Sequence, residues 1–471
     1  MKQLGRKHRF ALLPSQQRET PKAENQEMNR RSFLGQTSTA VAGAALIGTE
    51  MANAKTKNTM TGAADRIRLG LIGVKGMGWG NLQAALKLPN IEVTALCDVD
   101  ATELQKRAAE LAKDGKKPAL YDDFRKLLED KNVDAVIIGT PDHWHTIMTM
   151  YALEAGKHVY VEKPLANTIS ECQYLIKAVP AYGKVVQVGQ QQRSASHWAD
   201  AIAYYQSGKM GRVRQVKCWS YADWKTALPK QPDGVAPAGV NYDMWLGPAP
   251  LHAFNPLRFH FTFRWFWDYA GGLMTDWGVH LIDIAMMAMK VEKPISVIAS
   301  GGKLAFPTDG METPDTMVAI YDYGDFILNW EHTIGIGRGP YGKIHGVALI
   351  GENGTLLMDR GGWEILPEMG GDKAKPSYKT EMMPLQKAGG DGRVEHFDNF
   401  FSAIRTGSKV ICPIADGANV AMVAHMGNIA LRTGQKVYWD EAKGIFTNNG
   451  KANELAKHNY RGDWKLPVLK K

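Results

Sequence analysis

From residue 67 onward, apolar residues come in short unbroken runs that alternate with amphipathic stretches. Residues 67–72 (Ile-Arg-Leu-Gly-Leu-Ile) and 91–97 read as buried strands, with a helix over 79–88 between them. Residues 134–139, 157–161 and 185–189 repeat the strand pattern, and 146–155 and 168–182 repeat the helix pattern. Near-continuous apolar strands separated by helices predict a parallel sheet covered on both faces. In such sheets ligands sit in the crevice at the carboxyl ends of the strands.

Three motifs fall on that rim. The first strand runs into Gly73-Val74-Lys75-Gly76-Met77-Gly78, and the second ends in Asp98. Strand, glycine turn, helix, strand and acid is the order of a dinucleotide-binding fingerprint. The glycines permit a tight turn and close approach of backbone to a pyrophosphate, which the helix N-terminus then attracts. Asp98 is placed to accept hydrogen bonds from the adenosine ribose, which favours NAD over NADP. Lys75 stands where the fingerprint has its middle glycine. Its side chain pushes a pyrophosphate outward or pairs with it, and its cation, close enough to hold the extra phosphate of NADP, leaves NADP open. The third and fourth strands end in Thr140-Pro141-Asp142-His143-Trp144-His145 and Glu162-Lys163-Pro164. Thr140, Pro141, His145, Glu162 and Lys163 therefore join the glycine turn, Met77 included, as cofactor-binding candidates.

Upstream of this pattern the chain reads as an address. Arg30-Arg31-Ser32-Phe33-Leu34 precedes an apolar, small-residue run over 40–48 and then Ala52-Asn53-Ala54. A charged region, a short apolar region and a small-residue site, in that order, predict a signal peptide of the twin-arginine type. Residues 1–54 are taken as that signal, 55–65 as a linker, 66–189 as the nucleotide domain and 190–471 as a second domain. A twin-arginine translocase partner and a periplasmic location are expected. The run is too short to span a bilayer, so no stable membrane anchor is expected.

Bulk composition narrows the function. The 471 residues exceed one ordinary core, and 44% hydrophobic with 22% charged content is that of a globular protein. Of the formal +9, residues 1–54 hold eight Lys/Arg against four acids, so four surplus charges lie in the leader. No basic stripe with interleaved aromatics remains, which argues against nucleic-acid binding. Cys97, Cys172, Cys218 and Cys412 are scattered, with neither metal spacing nor a disulfide framework, and read as free buried thiols. No metal site is expected. The run from Phe259 to Tyr269 is dense in aromatics. Trp265, Trp267 and Asp268 there, with Arg193 after the last strand, are substrate candidates, since indoles cover the C–H faces of sugars.

With these residues in view, the chain resembles the Gfo/Idh/MocA oxidoreductases. Glu162-Lys163-Pro164 is similar to their E-K-P motif, and Asp276-Trp277-Gly278-Val279-His280 to their D-x-G-x-H motif. The ending, from Glu395-His396-Phe397 to Asn459-Tyr460-Arg461, looks like a subgroup with twin-arginine leaders. The resemblance implies a C-terminal α/β domain built on a large open, mostly antiparallel sheet, homo-oligomers joined through it, and a cis peptide before Pro164. It also implies that Lys163 aligns the reacting oxygen, His280 is the general base, titrating near neutral pH, and Asp276 assists. The expected activity is hydride transfer between a tightly bound nicotinamide cofactor and a ring hydroxyl of a carbohydrate or polyol. One alternative is glycoside cleavage through transient oxidation and elimination, although relatives of that kind lack the lysine of E-K-P. Another is a nucleotide-bound sugar-binding protein without turnover.

Overall fold

The computed structural model describes residues 66–469; the twin-arginine segment, the cleavage region and the linker lie outside the described residues. The first sheet contains β1 (Ile67–Ile72), β2 (Ile91–Cys97), β3 (Ala119–Tyr121), β4 (Ala135–Ile138), β5 (His158–Val161) and β6 (Val186–Val188). All pair in parallel in the order β3-β2-β1-β4-β5-β6, so the strand order reverses between β1 and β4. That is the Rossmann arrangement, with its ligand crevice at the switch point. The period of two explains why both faces are covered. Leu69, Leu71 and Ile137 pack to one side with Leu82, while Val136 and Ile138 pack to the other with Ile147.

Three elements between Asp98 and Asp134 escaped the periodicity: a helix Ala101–Ala112, the edge strand β3 and a helix Phe124–Glu129. The helix Ala101–Ala112 buries only Leu104 and Leu111, and β3 is three residues with no buried position, so neither carries a strong pattern. The helix after β1 runs Gly76–Ala85 rather than 79–88. The second half of the glycine turn is its first turn, and Pro89 closes off continuation.

The second sheet draws on β7 (Val213–Ala222), β8 (Ser296–Gly302), β9 (Thr316–Asp322), β10 (Ile327–Ile334), β11 (His345–Gly351), β12 (Gly354–Asp359) and β13 (Gly362–Pro367). A side ribbon, β14 (Met369–Asp372) with β15 (Lys375–Tyr378), precedes β16 (Met383–Lys387), β17 (Val437–Asp440) and β18 (Ile445–Phe446). Ten strands form the order β16-β13-β12-β11-β7-β10-β9-β8-β17-β18, antiparallel except for β7 with β10. Met317, Ala319, Tyr321 and Trp330 face helices Val279–Met289 and Ile414–Thr433. The opposite face leaves Ile298, Val318, Ile320 and Ile327 exposed.

Helix Arg393–Thr406, late in the sequence, returns to cover the first sheet, and Phe397 stacks on Tyr160 with ring centroids 4.2 Å apart. The four cysteines are free and buried. Among the described residues no helix is long and apolar enough to cross a membrane.

Candidate active site

The glycine turn is a backbone-to-backbone contact. A Cβ on Gly78 would meet the Gly73 carbonyl oxygen at 2.0 Å, and one on Gly139 would meet the Gly78 Cα at 2.5 Å. Glycine is therefore required where β1, the following helix and β4 converge. Helix Gly76–Ala85 has no side-chain cap and no acid in its first turn, so its N–H groups are left for an anion. Beside Gly76 there is open space, and Met77 next to it is exposed. Lys75 swings aside and pairs with Glu103 at 2.8 Å. It neither blocks the turn nor points into it. At the end of β6, buried Gln190 leaves both carboxamide atoms without a partner, which supplies polar contacts for a ligand at this rim. These features fit a dinucleotide.

Asp98 braces the turn as well as facing the crevice. Its two oxygens accept from Val74 N at 2.8 Å and from Asp100 N at 3.0 Å, and each keeps a lone pair free. Burial pushes its carboxyl up to about 6, against those two hydrogen bonds. Thr140 and Pro141 lead into a short turn over Asp142–Trp144. His145 then lies between two carbonyls, Pro164 O at 2.7 Å and Thr140 O at 2.9 Å. Burial lowers its pKa to about 4, so the neutral ring has one N–H and donates to one of them at a time. Its imidazole thus fastens the end of β4 to the end of β5. Glu162, also buried, accepts from Asn81 Nδ2 at 2.7 Å and ties β5 to the glycine-turn helix.

Lys163 extends from β5 across to the second half of the chain. The Lys163–Pro164 peptide is cis. Lys163 Nζ donates to Asp276 Oδ1 at 2.8 Å and to Asp276 O at 3.0 Å. Asp276 sits in a π-turn, Met274–Gly278, that feeds the helix Val279–Met289. Such widened turns often mark functional sites. Burial works against its charge, yet Arg264 and Lys163 hold the Asp276 carboxylate well below the usual range. It makes no hydrogen bond to His280, so it does not orient that imidazole. The buried His280 ring keeps Nδ1 unpartnered. Burial, then Lys163 and Arg360, push its pKa well below 6.5, which corrects the expectation of titration near neutrality. The ring is neutral at pH 7 and is available as an acceptor.

The structure adds neighbours that the motifs did not mark. Arg264 Nε approaches Asp276 Oδ2 at 3.5 Å. The Arg360 guanidinium lies over the Trp277 ring at 4.4 Å, and the His345 ring lies 4.8 Å from the same indole. Arg360 comes from the hairpin between β12 and β13, and His345 from the start of β11. A cation in a Gly-rich turn after an apolar strand was the one sequence signal for Arg360.

The four substrate candidates go elsewhere. Arg193 is a correction: its Nε and Nη2 donate to Asp283 at 2.8 and 2.6 Å, and Nη1 to Asp416. It is a buried tie between helices. Trp265 is fully buried and so has no face for a sugar. Trp267, under Arg432, and Asp268, paired with His252 at 2.7 Å, line a separate cleft of about 240 Å³ beside Tyr460. The turn His260–Trp265 explains this divergence, because it sends Arg264 to Asp276 and its neighbour Trp265 into the core.

A nucleotide turn, a lysine at the end of β5 and an acid–histidine turn facing it form one dinucleotide crevice with titratable groups at its mouth. Residues 67–190 match the oxidoreductase family with an NAD-binding Rossmann fold, and 212–333 with 381–466 match its C-terminal alpha/beta domain. The chain belongs to this Gfo/Idh/MocA oxidoreductase family, and NAD is its cofactor. Among solved structures, an aldose-aldose oxidoreductase from Caulobacter crescentus superposes with a TM-score of 0.58 at 21% identity, covering 79% of this chain and 99% of that one. A myo-inositol 2-dehydrogenase from Lactobacillus plantarum gives 0.59 at 18% identity, covering 79% and 99%. Both likenesses concern the fold. A glycosyl hydrolase family 109 protein from Shewanella sp. is 32% identical over 166 residues, 32% of this chain and 36% of that protein. The match thus spans about a third of that relative's length.

Proposed function

We propose that this protein oxidises a ring hydroxyl of a carbohydrate or polyol, or reduces the corresponding ketone. The observation that carries this reading is the Lys163–Asp276 pair, which sets an ammonium at the crevice opposite an unpartnered His280 imidazole. NAD supplies the hydride acceptor or donor when bound. Lys163, steered by Asp276, hydrogen-bonds the reacting oxygen and stabilises charge that develops there. His280 accepts the hydroxyl proton. Residues 1–54 direct export by the twin-arginine route to the periplasm, and copies of the chain associate through the exposed apolar face of the second sheet.

The partial likeness to family 109 glycosidases favours a second reading, in which transient oxidation permits elimination of a glycosidic group. One assay separates the two. Purified protein is mixed with free sugars, polyols and nitrophenyl glycosides while reduced nicotinamide and nitrophenol are both followed. Net change in nicotinamide absorbance with free sugars supports the dehydrogenase. Nitrophenol release with no net nicotinamide change, and silence with every free sugar, would replace it by the glycosidase.

A further inference from the structure

The crevice holds more positive charge than its acids balance. Lys163 and Arg264 flank one ionised carboxylate, Asp276, which is hydrogen-bonded to Lys163 alone, and Arg360 lies beyond ion-pair distance of it. The second acid nearby, Asp142, is buried, and burial raises its pKa to about 8, so it is mostly protonated at pH 7. Glu162 accepts from Asn81 Nδ2 and from Lys163 N, and its charge bears on Lys163 rather than on Arg360.

Arg360 is the clearest surplus. Its Nε donates to Gln192 Oε1 at 2.9 Å, and Gln192 Nε2 in turn donates to His280 O at 3.3 Å. The guanidinium plane is fixed over Trp277. No carboxylate lies within ion-pair distance of it among the described residues. The acid that acts on it most, Asp391, pairs with Arg393 at 3.3 Å. Both terminal nitrogens of a pre-oriented guanidinium fork are therefore uncommitted. Around the same indole, His345 keeps both ring nitrogens buried and unpartnered, and His280 keeps Nδ1 so. Buried ring nitrogens without partners are costly unless a ligand satisfies them, and a half-buried cation beside them is a ready partner for an anion. A planar guanidinium fork matches a carboxylate in shape and charge.

We propose that the substrate is a sugar bearing a carboxylate, such as a uronate, and that Arg360 on Trp277 binds that group while Lys163 and His280 address the hydroxyl. This rests on the sugar-dehydrogenase reading and names its substrate class. The carboxylate supplies the missing negative charge beside His280. Facing that ring are Lys163, Arg360, Asp276 and His345, so a bound anion shifts the balance towards the protonated imidazole and makes it a better base.

The test uses full-length, NAD-loaded protein. Binding of matched pairs, glucose with glucuronate and galactose with galacturonate, is followed by tryptophan fluorescence, with glucose 6-phosphate as a third arm. Nicotinamide reduction is read separately. A charge-assisted bidentate contact predicts that one uronate binds roughly 10- to 100-fold tighter than its neutral partner. That preference should collapse in Arg360→Gln protein that retains NAD and its circular dichroism. Equal or tighter binding of the neutral sugars by the unaltered protein overturns the proposal, even if the variant does not fold. Preference for the phosphate over every uronate also overturns it. Uronate preference without nicotinamide reduction would instead leave the charge assignment standing and remove the dehydrogenase reading.

Discussion

Lys163 Nζ and Asp276 Oδ1 are 2.8 Å apart although 113 residues separate them in sequence. Their contact joins the end of a Rossmann strand to a π-turn under the second sheet. If the ammonium aligns the reacting oxygen, Lys163→Met lowers turnover by about 10²–10⁴-fold. Nucleotide content stays at the level of the unaltered protein, because the glycine turn is untouched. Steady-state rates and released nucleotide measured on the same sample check this. Near-normal turnover in the variant would take Lys163 out of the mechanism.

Asp98 links cofactor choice to pH. With its pKa raised to about 6 by burial, the carboxyl is largely protonated at pH 5 and ionised at pH 7.5. Only the ionised form repels the extra phosphate of NADP. The preference for NAD should therefore grow with rising pH, by roughly tenfold or more for a close unit charge. The phosphate itself gains charge over the same range, so Asp98→Asn is the control: its preference should rise much less. Nucleotide titrations at both pH values decide it, and equal slopes in variant and parent would show that Asp98 does not face the ribose.

Arg193 separates a structural from a substrate role. Removing it leaves Asp283 buried without its cation, which typically costs about 3–5 kcal/mol. Arg193→Ala should lower the urea midpoint accordingly. Arg193→Met combined with Asp283→Leu should recover most of the loss, since an apolar pair of similar volume replaces both charges. A variant of unchanged stability but raised KM for sugar would return Arg193 to the pocket.

Much of the first sheet was legible because its strands are apolar on both faces and its turn needs glycine. The helix Ala101–Ala112 and β3 were not, since a two-residue buried stripe and an exposed three-residue edge leave no period to read. Lys163, Asp276 and His280 were legible through the resemblance of two short motifs, each local in sequence although 113 residues separate Lys163 from Asp276. Arg360 and His345 belong to other strands of the second sheet, and only the folded sheet brings them to Trp277. Aromatic density around Trp265 drew attention to the segment that carries Arg264. It did not say which side of a three-residue-per-turn helix faces the crevice, and the charged Arg264 rather than an indole does so.

The remaining prediction joins export to cofactor retention. Outside the cytoplasm no nicotinamide pool refills an empty site, so an exported dehydrogenase that releases its cofactor each cycle stops working. The twin-arginine route carries folded proteins, which solves this only if NAD is bound before transport and then held. The chain is accordingly expected to mature near Lys55, to reach the periplasm and to purify with nicotinamide nucleotide already present. Retention through purification requires a slow off-rate and an affinity well below micromolar, beyond about −8 kcal/mol. The uncapped helix after the glycine turn and the close packing of Gly73, Gly78 and Gly139 suit such a tight site. A held cofactor must also be reset in place, by a second substrate or by return of the hydride to the same molecule. Protein from the periplasmic fraction is denatured and its released nucleotide is quantified by chromatography, alongside N-terminal sequencing. One nucleotide per chain is the expected result. An empty site, in protein that is fully active only with added NAD, would break the connection between the leader and the mechanism.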